Sequence, residues 1–241
     1  MRYLSVSMSV FCLAVLTHSP LTYGQTSIDA DTRCGTILRP PWEYGPFDFR
    51  KNKDKLPVVE NNHFTRDVEL LIRGKTATAP GPDIAFTLRA IPNHPHALMS
   101  MMLLGEREKT DKPTGSQYTV DCWFERGIRF RPDDNVVRML YTTYLTKANR
   151  PVDARQQLDI LLATAKDNPF THNNIGLLYF DLGDYEKALV QAHKATELGL
   201  DRPALRERLQ SVGKWVEFKA SDSTAGNATS PALASSAPKA P

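Results

Sequence analysis

The chain has 241 residues, of which 41% are hydrophobic and 24% are charged, and its formal net charge at pH 7 is +3. A balance this close to neutral excludes the strong positive field with which nucleic-acid-binding domains attract phosphates. The charge therefore does not indicate a nucleic-acid partner.

Residues 1–24 have the pattern of a secretory signal peptide. Arg2 precedes an apolar stretch over residues 4–16, and Gly24 is a small residue of the kind found next to a signal-peptidase cleavage site. The apolar stretch is shorter than the roughly 20 residues that a permanent membrane helix needs. We therefore expect export without a permanent membrane span, to the periplasm or, alternatively, to the medium. An uncleaved N-terminal anchor is the other interpretation.

Two cysteines remain if this leader is removed. Loss of Arg2 would leave 29 of the 30 basic residues against 27 acidic ones, together with Cys34 and Cys122. An exported chain meets oxidising conditions, so the pair predicts one disulfide that ties the N-terminal region to the helices after it. Two free buried thiols are the alternative. Without a matching histidine pair, the two cysteines do not indicate a metal site.

Residues 25–62 carry little periodicity and many turn residues, and they predict an extended, irregular arm. Four aromatic side chains crowd together in it, at Trp42, Tyr44, Phe47 and Phe49. Because such a cluster needs burial, we expect the arm to pack across the helices. The alternative is that the aromatic cluster itself forms a ligand platform.

Helical spacing of apolar residues begins at residue 63, and we assign residues 63–218 to a helical domain. Its first predicted helices cover residues 65–74, 83–92, 95–104 and 117–130. The last two form a divergent hairpin. The polar segment 105–116 between them is an insertion that decorates one edge of the domain, and it is a candidate partner contact.

Two clearer hairpins follow, over residues 133–168 and 169–202, and residues 203–218 predict a final capping helix. The second hairpin has capping residues at its predicted helix ends, namely Asn168, Gly183, Asp184 and Gly199. Residues 219–241 are dominated by Ala, Ser and Pro, which predicts a disordered tail.

Small residues recur at a fixed spacing in these hairpins. Gly176 and Ala188 would let two helix axes approach closely, and a step of about 34 residues back from Ala188 leads to Ala154. The preceding hairpin carries Phe124 and Gly127 in its second helix. The pattern resembles the tetratricopeptide repeat (TPR). The resemblance implies an all-α fold, a short TPR-type α-solenoid of helical hairpins with an irregular N-terminal arm and a C-terminal capping helix.

Further residues extend this resemblance toward the N-terminus. Cys34-Gly35, residues 45–50, 63–65 and 87–94, and Cys122 together resemble a group of exported bacterial TPR proteins of unassigned function. The resemblance implies that the arm belongs to the folded domain. It implies no activity.

In the TPR family the first helix of each hairpin lines a concave surface that binds a partner. The resemblance therefore implies partner contacts at Val136, Met139, Thr143, Lys147, Phe170, Asn173, Asn174, Leu177 and Asp181. The asparagines suit the backbone of an extended peptide, and the apolar side chains suit its side chains. Lys147 is the only basic residue in the set, which argues against a C-terminal carboxylate as the ligand. An open peptide groove and a flat docking face are both retained as interpretations.

Each group of residues that could suggest a catalytic or metal site also has a structural explanation. His94 and His96 flank a proline without further ligands nearby, and Asp133-Asp134 suits a helix start. His172 and His193 are expected at surface or groove positions. We therefore predict neither a metal nor a cofactor.

These observations favour a non-enzymatic interaction module, an exported adaptor or assembly factor that binds a protein or peptide in the cell envelope. The alternative is an enzyme or small-ligand binding protein whose site lies between the aromatic arm and the first helices. Trp42, Phe49, His63 and Arg89 would enclose that site.

Overall fold

The computed structural model describes residues 32–38, 40, 43–200 and 202–217. Within these ranges the chain forms helices and no β-strand, so the predicted all-α fold class is confirmed. The predicted signal peptide at 1–24, the predicted tail at 219–241 and Trp42 lie outside the described residues.

Ten α-helices occupy the described part of the chain. They are α1 (Leu56–Asn62), α2 (Arg66–Glu69), α3 (Gly81–Ala90), α4 (Pro95–Glu108), α5 (Val120–Phe130), α6 (Asn135–Lys147), α7 (Pro151–Thr164), α8 (Pro169–Asp181), α9 (Tyr185–Glu197) and α10 (Pro203–Ser211). Short 3-10 turns lie at Thr32–Cys34 and Lys53–Lys55. No helix in these ranges combines the length and the apolar character that crossing a membrane would require.

Helices α4 to α9 pair as three consecutive hairpins, α4 with α5, α6 with α7 and α8 with α9. The first helices of the hairpins also contact each other, because α4 lies against α6, α6 against α8, and α8 against α10. The first helices therefore form a single row, with α10 at its end.

The ends of the last hairpin follow the predicted capping pattern. The Asn168 side chain accepts a hydrogen bond from the Thr171 amide at 3.0 Å, and Asp184 caps the next helix at the Lys187 amide. Gly183 and Gly199 have φ values of 74° and 88°, in the left-handed region that favours glycine. These caps fix where α8 ends and α9 begins.

Small residues allow the helices of the last hairpin to pack closely. A Cβ atom on Gly176 would lie 2.4 Å from Leu205 Cδ2, so glycine here leaves the space that α10 occupies. Ala188 is fully buried in the same apolar cluster as Leu158 and Leu209. A second cluster surrounds Trp123 and Phe124 of α5, in the first hairpin. The two clusters form the main core of the row of hairpins.

The described part of the arm is held by a buried polar network around Asp48. Asp48 Oδ1 accepts hydrogen bonds from Asn93 Nδ2 at 2.8 Å and from the Arg50 amide at 3.0 Å, and Arg131 Nε lies 2.7 Å from Oδ2. Asn93 Nδ2 also donates to Asp134 at 2.9 Å. Burial acts to raise the pKa of Asp48, but its hydrogen bonds with Arg50 and Asn93 outweigh burial and hold the pKa well below its usual range. The network joins the arm to the helix ends beneath it.

The start of the described chain is bound to α5. Cys34 Sγ and Cys122 Sγ are 2.02 Å apart, the distance of a disulfide bond, as the sequence predicts. The Arg126 guanidinium donates to the carbonyl oxygens of Cys34 and Thr36 at 2.9 and 2.7 Å, and Arg129 donates to the Gly35 carbonyl. The turn is therefore held by hydrogen bonds as well as by the covalent bond.

Three local predictions were wrong. The arm is not irregular up to residue 62, because Leu56–Asn62 form α1. The helix expected over residues 65–74 ends at Glu69, since Leu71 takes a left-handed φ of 58°. Asp83 does not cap α3, because the helix begins before it and its carboxylate accepts from the Lys75 and Thr76 amides at 2.7 and 3.0 Å.

Candidate functional site

Side chains of the first helices lie on one surface, which we call the stacked-helix face. Its residues are Met99, Leu103 and Glu106 of α4, Val136, Met139, Thr143 and Lys147 of α6, and Phe170, Asn174, Leu177 and Asp181 of α8. Within each helix they recur three or four residues apart, which places them on one side. Lys147 Nζ lies 2.8 Å from Glu106 Oε1 and Asn174 Nδ2 lies 4.0 Å from Met139 Sδ, so the three stripes adjoin.

Large apolar side chains of this face are open to solvent. Phe170 is 52% exposed and Val136 is 51% exposed, with Met99 and Leu103 exposed on α4 as well. The guanidinium of Arg202 lies 5.2 Å from the centre of the Phe170 ring, a cation–π contact at the start of α8. The face thus offers several apolar anchors along adjacent helices.

Charged residues of the stacked-helix face are already paired. Lys147 binds Glu106, and Arg208 of α10 donates to Asp181 Oδ1 at 2.5 Å. The Thr143 hydroxyl donates to the Met139 carbonyl oxygen of its own helix. Asn174, which is exposed, therefore stands out as the polar group among the apolar anchors.

Asn173 does not belong to this face, contrary to the prediction. It is 7% exposed and lines a small cavity of about 100 Å³ with Thr196 and Leu205. The reason is helical geometry. Residue 173 lies about one turn before Gly176 and so shares the side of α8 that faces α10. Residue 174 lies about 100° further round the helix, on the exposed side. The other eight predicted partner contacts do lie together on the face.

The histidines are engaged in structural contacts. His172 was expected at the surface but is buried, with Nδ1 2.7 Å from Gln191 Oε1 and Nε2 2.7 Å from the Lys166 carbonyl oxygen. His94 caps α4 by accepting from the Ala97 amide, and burial, followed by the nearby charge of His96, lowers its pKa to about 3. The described residues contain no group of three or more His, Cys, Asp or Glu side chains arranged to hold a metal ion.

Residues of the alternative arm site pack against other side chains. The Phe49 ring centre lies 4.6 Å from that of His94, and the His63 ring stacks on Phe86 at 3.8 Å. Arg89 donates to Gln117 Oε1 at 2.8 Å. Phe49 thus packs between the arm and the start of α4, and His63 packs against α3.

A second feature lies beside the stacked-helix face, where α4 and α6 end. Two cavities of about 420 and 410 Å³ adjoin there, and both are lined by Asp111 and Tyr144. We call them together the edge groove. The first is also lined by Met102, Val120 and Ala148, and the second by Arg33, Lys112, Thr119 and Arg150. The groove therefore has an apolar lobe and a polar lobe.

Most charges around the edge groove form ion pairs. Arg150 Nη1 lies 2.7 Å from Asp121 Oδ1, which also accepts a hydrogen bond from the Tyr141 hydroxyl at 2.9 Å. Arg33 pairs with Asp121 and Glu125. Burial, and then the charge of Asp121, raises the pKa of Tyr144, so this phenol stays neutral at physiological pH.

The sequence did not predict the edge groove, although it marked the segment that forms one wall. Residues 105–116 stood out as a polar insertion between two helices. Their apposition to the end of α6 depends on how the hairpins stack, and no local pattern carries that information.

Comparisons with protein-family models, with curated proteins and with solved structures found no match to this chain. The described residues form an all-α protein with a row of helical hairpins and a disulfide-bound turn before them.

Proposed function

We propose that this protein is an exported, TPR-like adaptor or assembly factor that binds a partner protein or peptide through its stacked-helix face. The exposed apolar side chains on adjacent first helices carry the proposal, because contiguous exposed apolar surface on a folded chain commonly marks an interaction site. The disulfide supports export, since such bonds persist in oxidising compartments.

The pairing of charges on the face supports an apolar rather than an ionic mode of recognition. Lys147 and Asp181 each have an opposite charge beside them, so neither presents an uncompensated charge to a partner. Apolar anchors of the partner would occupy the spaces between Val136, Met139 and Phe170, and Asn174 would bind its backbone. This arrangement disfavours recognition of a terminal carboxylate.

A matched pair of variants tests this proposal by affinity capture from envelope extract. Val136→Ser combined with Phe170→Ser removes two anchors from the stacked-helix face. Val152→Ser combined with Val190→Ser changes side chains that are 65% and 60% exposed on the second helices α7 and α9. We expect the first variant to bind its partner about tenfold more weakly or worse, and the second to bind like the wild type.

The captured partner is then purified and its affinity for each variant measured directly. Equal affinity for the wild type and the face variant would remove the stacked-helix face as the binding surface. Capture of no partner by the wild-type protein under these conditions would contradict the adaptor function itself.

A further inference from the structure

We propose that the edge groove binds a small amphiphilic carboxylate, a ligand with an aliphatic body and a single carboxylate group. This site is distinct from the proposed binding of a protein partner. It shares Glu106 and Lys147 with the edge of the stacked-helix face, but it needs no second protein for its occupancy.

The dimensions of the groove suit a small molecule. Each lobe has a volume near 400 Å³, at about 420 and 410 Å³, and ligand pockets commonly measure about 300 to 1,000 Å³. Asp111 and Tyr144 line both lobes, so one ligand can extend from one lobe into the other.

The apolar lobe offers an aliphatic surface. Met102, Val120 and Ala148 line it; Met102 and Val120 are buried side chains, and Ala148, just after α6, is exposed. At Gly105, a Cβ atom would lie 2.9 Å from the Thr110 carbonyl oxygen and 3.0 Å from Val120 Cγ2. This close fit keeps the insertion against α4, and a hydrocarbon body bound in the lobe would lose contact with water.

Two lysines beside the groove favour a negatively charged ligand. Lys109 lines the apolar lobe and Lys112 lines the polar lobe, and neither has an acidic partner within 4.0 Å among the residues that the structure describes. Asp111 lies between them and offsets one of their two charges, which leaves one positive charge on this wall. The other acidic groups, Glu106 and Asp121, are already paired with Lys147 and Arg150. Among the groove-lining side chains that have no ion-pair partner within the described residues, two are basic and one is acidic, so this wall of the groove favours an anion.

The insertion that carries these lysines is held in place. The Val120 amide donates to the Asp111 carbonyl oxygen at 2.7 Å, and the Trp123 indole donates to Ser116 Oγ at 2.8 Å. The Thr114 amide donates to Glu108 at 2.7 Å. A wall that is already ordered reduces the entropy cost of binding.

Calorimetric titration of the exported full chain tests the site, with octanoate as the probe. Octan-1-ol and octylamine serve as the neutral and cationic counterparts of the same chain length. We expect saturable binding of one octanoate per chain, and at least several-fold weaker binding of the other two compounds. Equal binding of octan-1-ol, or no saturable octanoate binding, would overturn the proposal.

Variants locate the ligand. Ala148→Phe fills the apolar lobe from an exposed position, and Lys109→Gln with Lys112→Gln removes the two charges. The control, Lys51→Gln with Lys214→Gln, removes two exposed lysines outside the groove. We expect the lysine variant to bind octanoate about tenfold more weakly, since each exposed charge pair contributes a few-fold. We expect Ala148→Phe to abolish binding and the control to leave it unchanged.

Unchanged binding in the groove lysine variant, or an equal loss in the control, would contradict the assignment. The lysine substitutions are on the surface, so this comparison holds even if Ala148→Phe fails to fold.

Discussion

At the scale of single residues, Asp48 shows how a buried carboxylate joins separate parts of the chain. It is fully buried, and its ligands are Arg50 of the arm, Asn93 before α4 and Arg131 after α5. A buried charge is costly unless it is paired and hydrogen-bonded. Asp48 meets both conditions, and its removal should therefore loosen the arm.

This network predicts a pH dependence of stability. The pKa of Asp48 is lower in the folded state than its usual value of 3.8, so the folded state binds fewer protons than the unfolded state. The resulting stabilisation is fully present above that usual value and is lost as the pH falls through the folded-state pKa. We expect Asp48→Asn to unfold at a lower temperature than the wild type at pH 7. The difference in melting temperature should narrow as the pH falls below 3.8, because the Asp48 carboxylate of the unfolded wild type then binds protons while that of the folded protein stays charged.

Asp159→Asn, at an exposed position of α7, provides the control, and we expect it to unfold like the wild type at each pH. If the unfolding temperatures of the wild type and Asp48→Asn differed by the same amount at every pH, the carboxylate charge would contribute nothing to stability.

At the scale of helices, the packing of α8 on α9 depends on a small residue at position 188. Ala188 is fully buried, and the cluster around it is apolar. Ala188→Glu would place a charge between the helices and should cost about 3 kcal/mol or more of unfolding free energy. Val190→Glu is the control on the same helix, because Val190 is 60% exposed. Denaturant unfolding of both variants measures the effect, and equal midpoints would refute the packing.

Helix ends were predictable where the signal is local. Asn168, Gly183 and Asp184 act within a few residues of themselves through caps or a left-handed turn, so the sequence alone sufficed to place them. Asp83 was wrongly assigned because its carboxylate binds the loop before α3 and also lies 3.0 Å from His63 Nδ1. The carboxylate makes tertiary contacts instead, and a local capping rule does not predict such contacts.

The stacked-helix face was partly predictable for a similar reason. Residues spaced three or four apart on α6 and α8 share a side of their helix, and the sequence identified eight of them. The prediction for Asn173 was wrong because α10 covers the side of α8 on which Asn173 lies. The edge groove depends on the approach of the insertion to α6, so it could not be predicted from either segment alone.

At the scale of the whole molecule, the Cys34–Cys122 disulfide closes a loop across a sequence separation of 88 residues. The chain-entropy estimate for a loop of this length is about 4 to 5 kcal/mol of stabilisation. We expect reductant to lower the melting temperature, and Cys34→Ser combined with Cys122→Ser to lower it in the absence of reductant. The double variant should not respond to reductant, which makes it the control.

Thiol titration gives an independent check. Reactive thiols at Cys34 and Cys122 in the native protein would contradict the disulfide, whereas their appearance only after reduction would agree with it.

The position of this bond also determines what a protease can do to the molecule. Residues 72–79 form an exposed connection between α2 and α3, with Ile72 66% exposed, and they lie inside the segment that the disulfide closes. Cleavage there opens the backbone but leaves the two pieces covalently linked, and their shared apolar clusters keep them in contact. A single cut at this exposed connection would thus leave one covalently linked molecule.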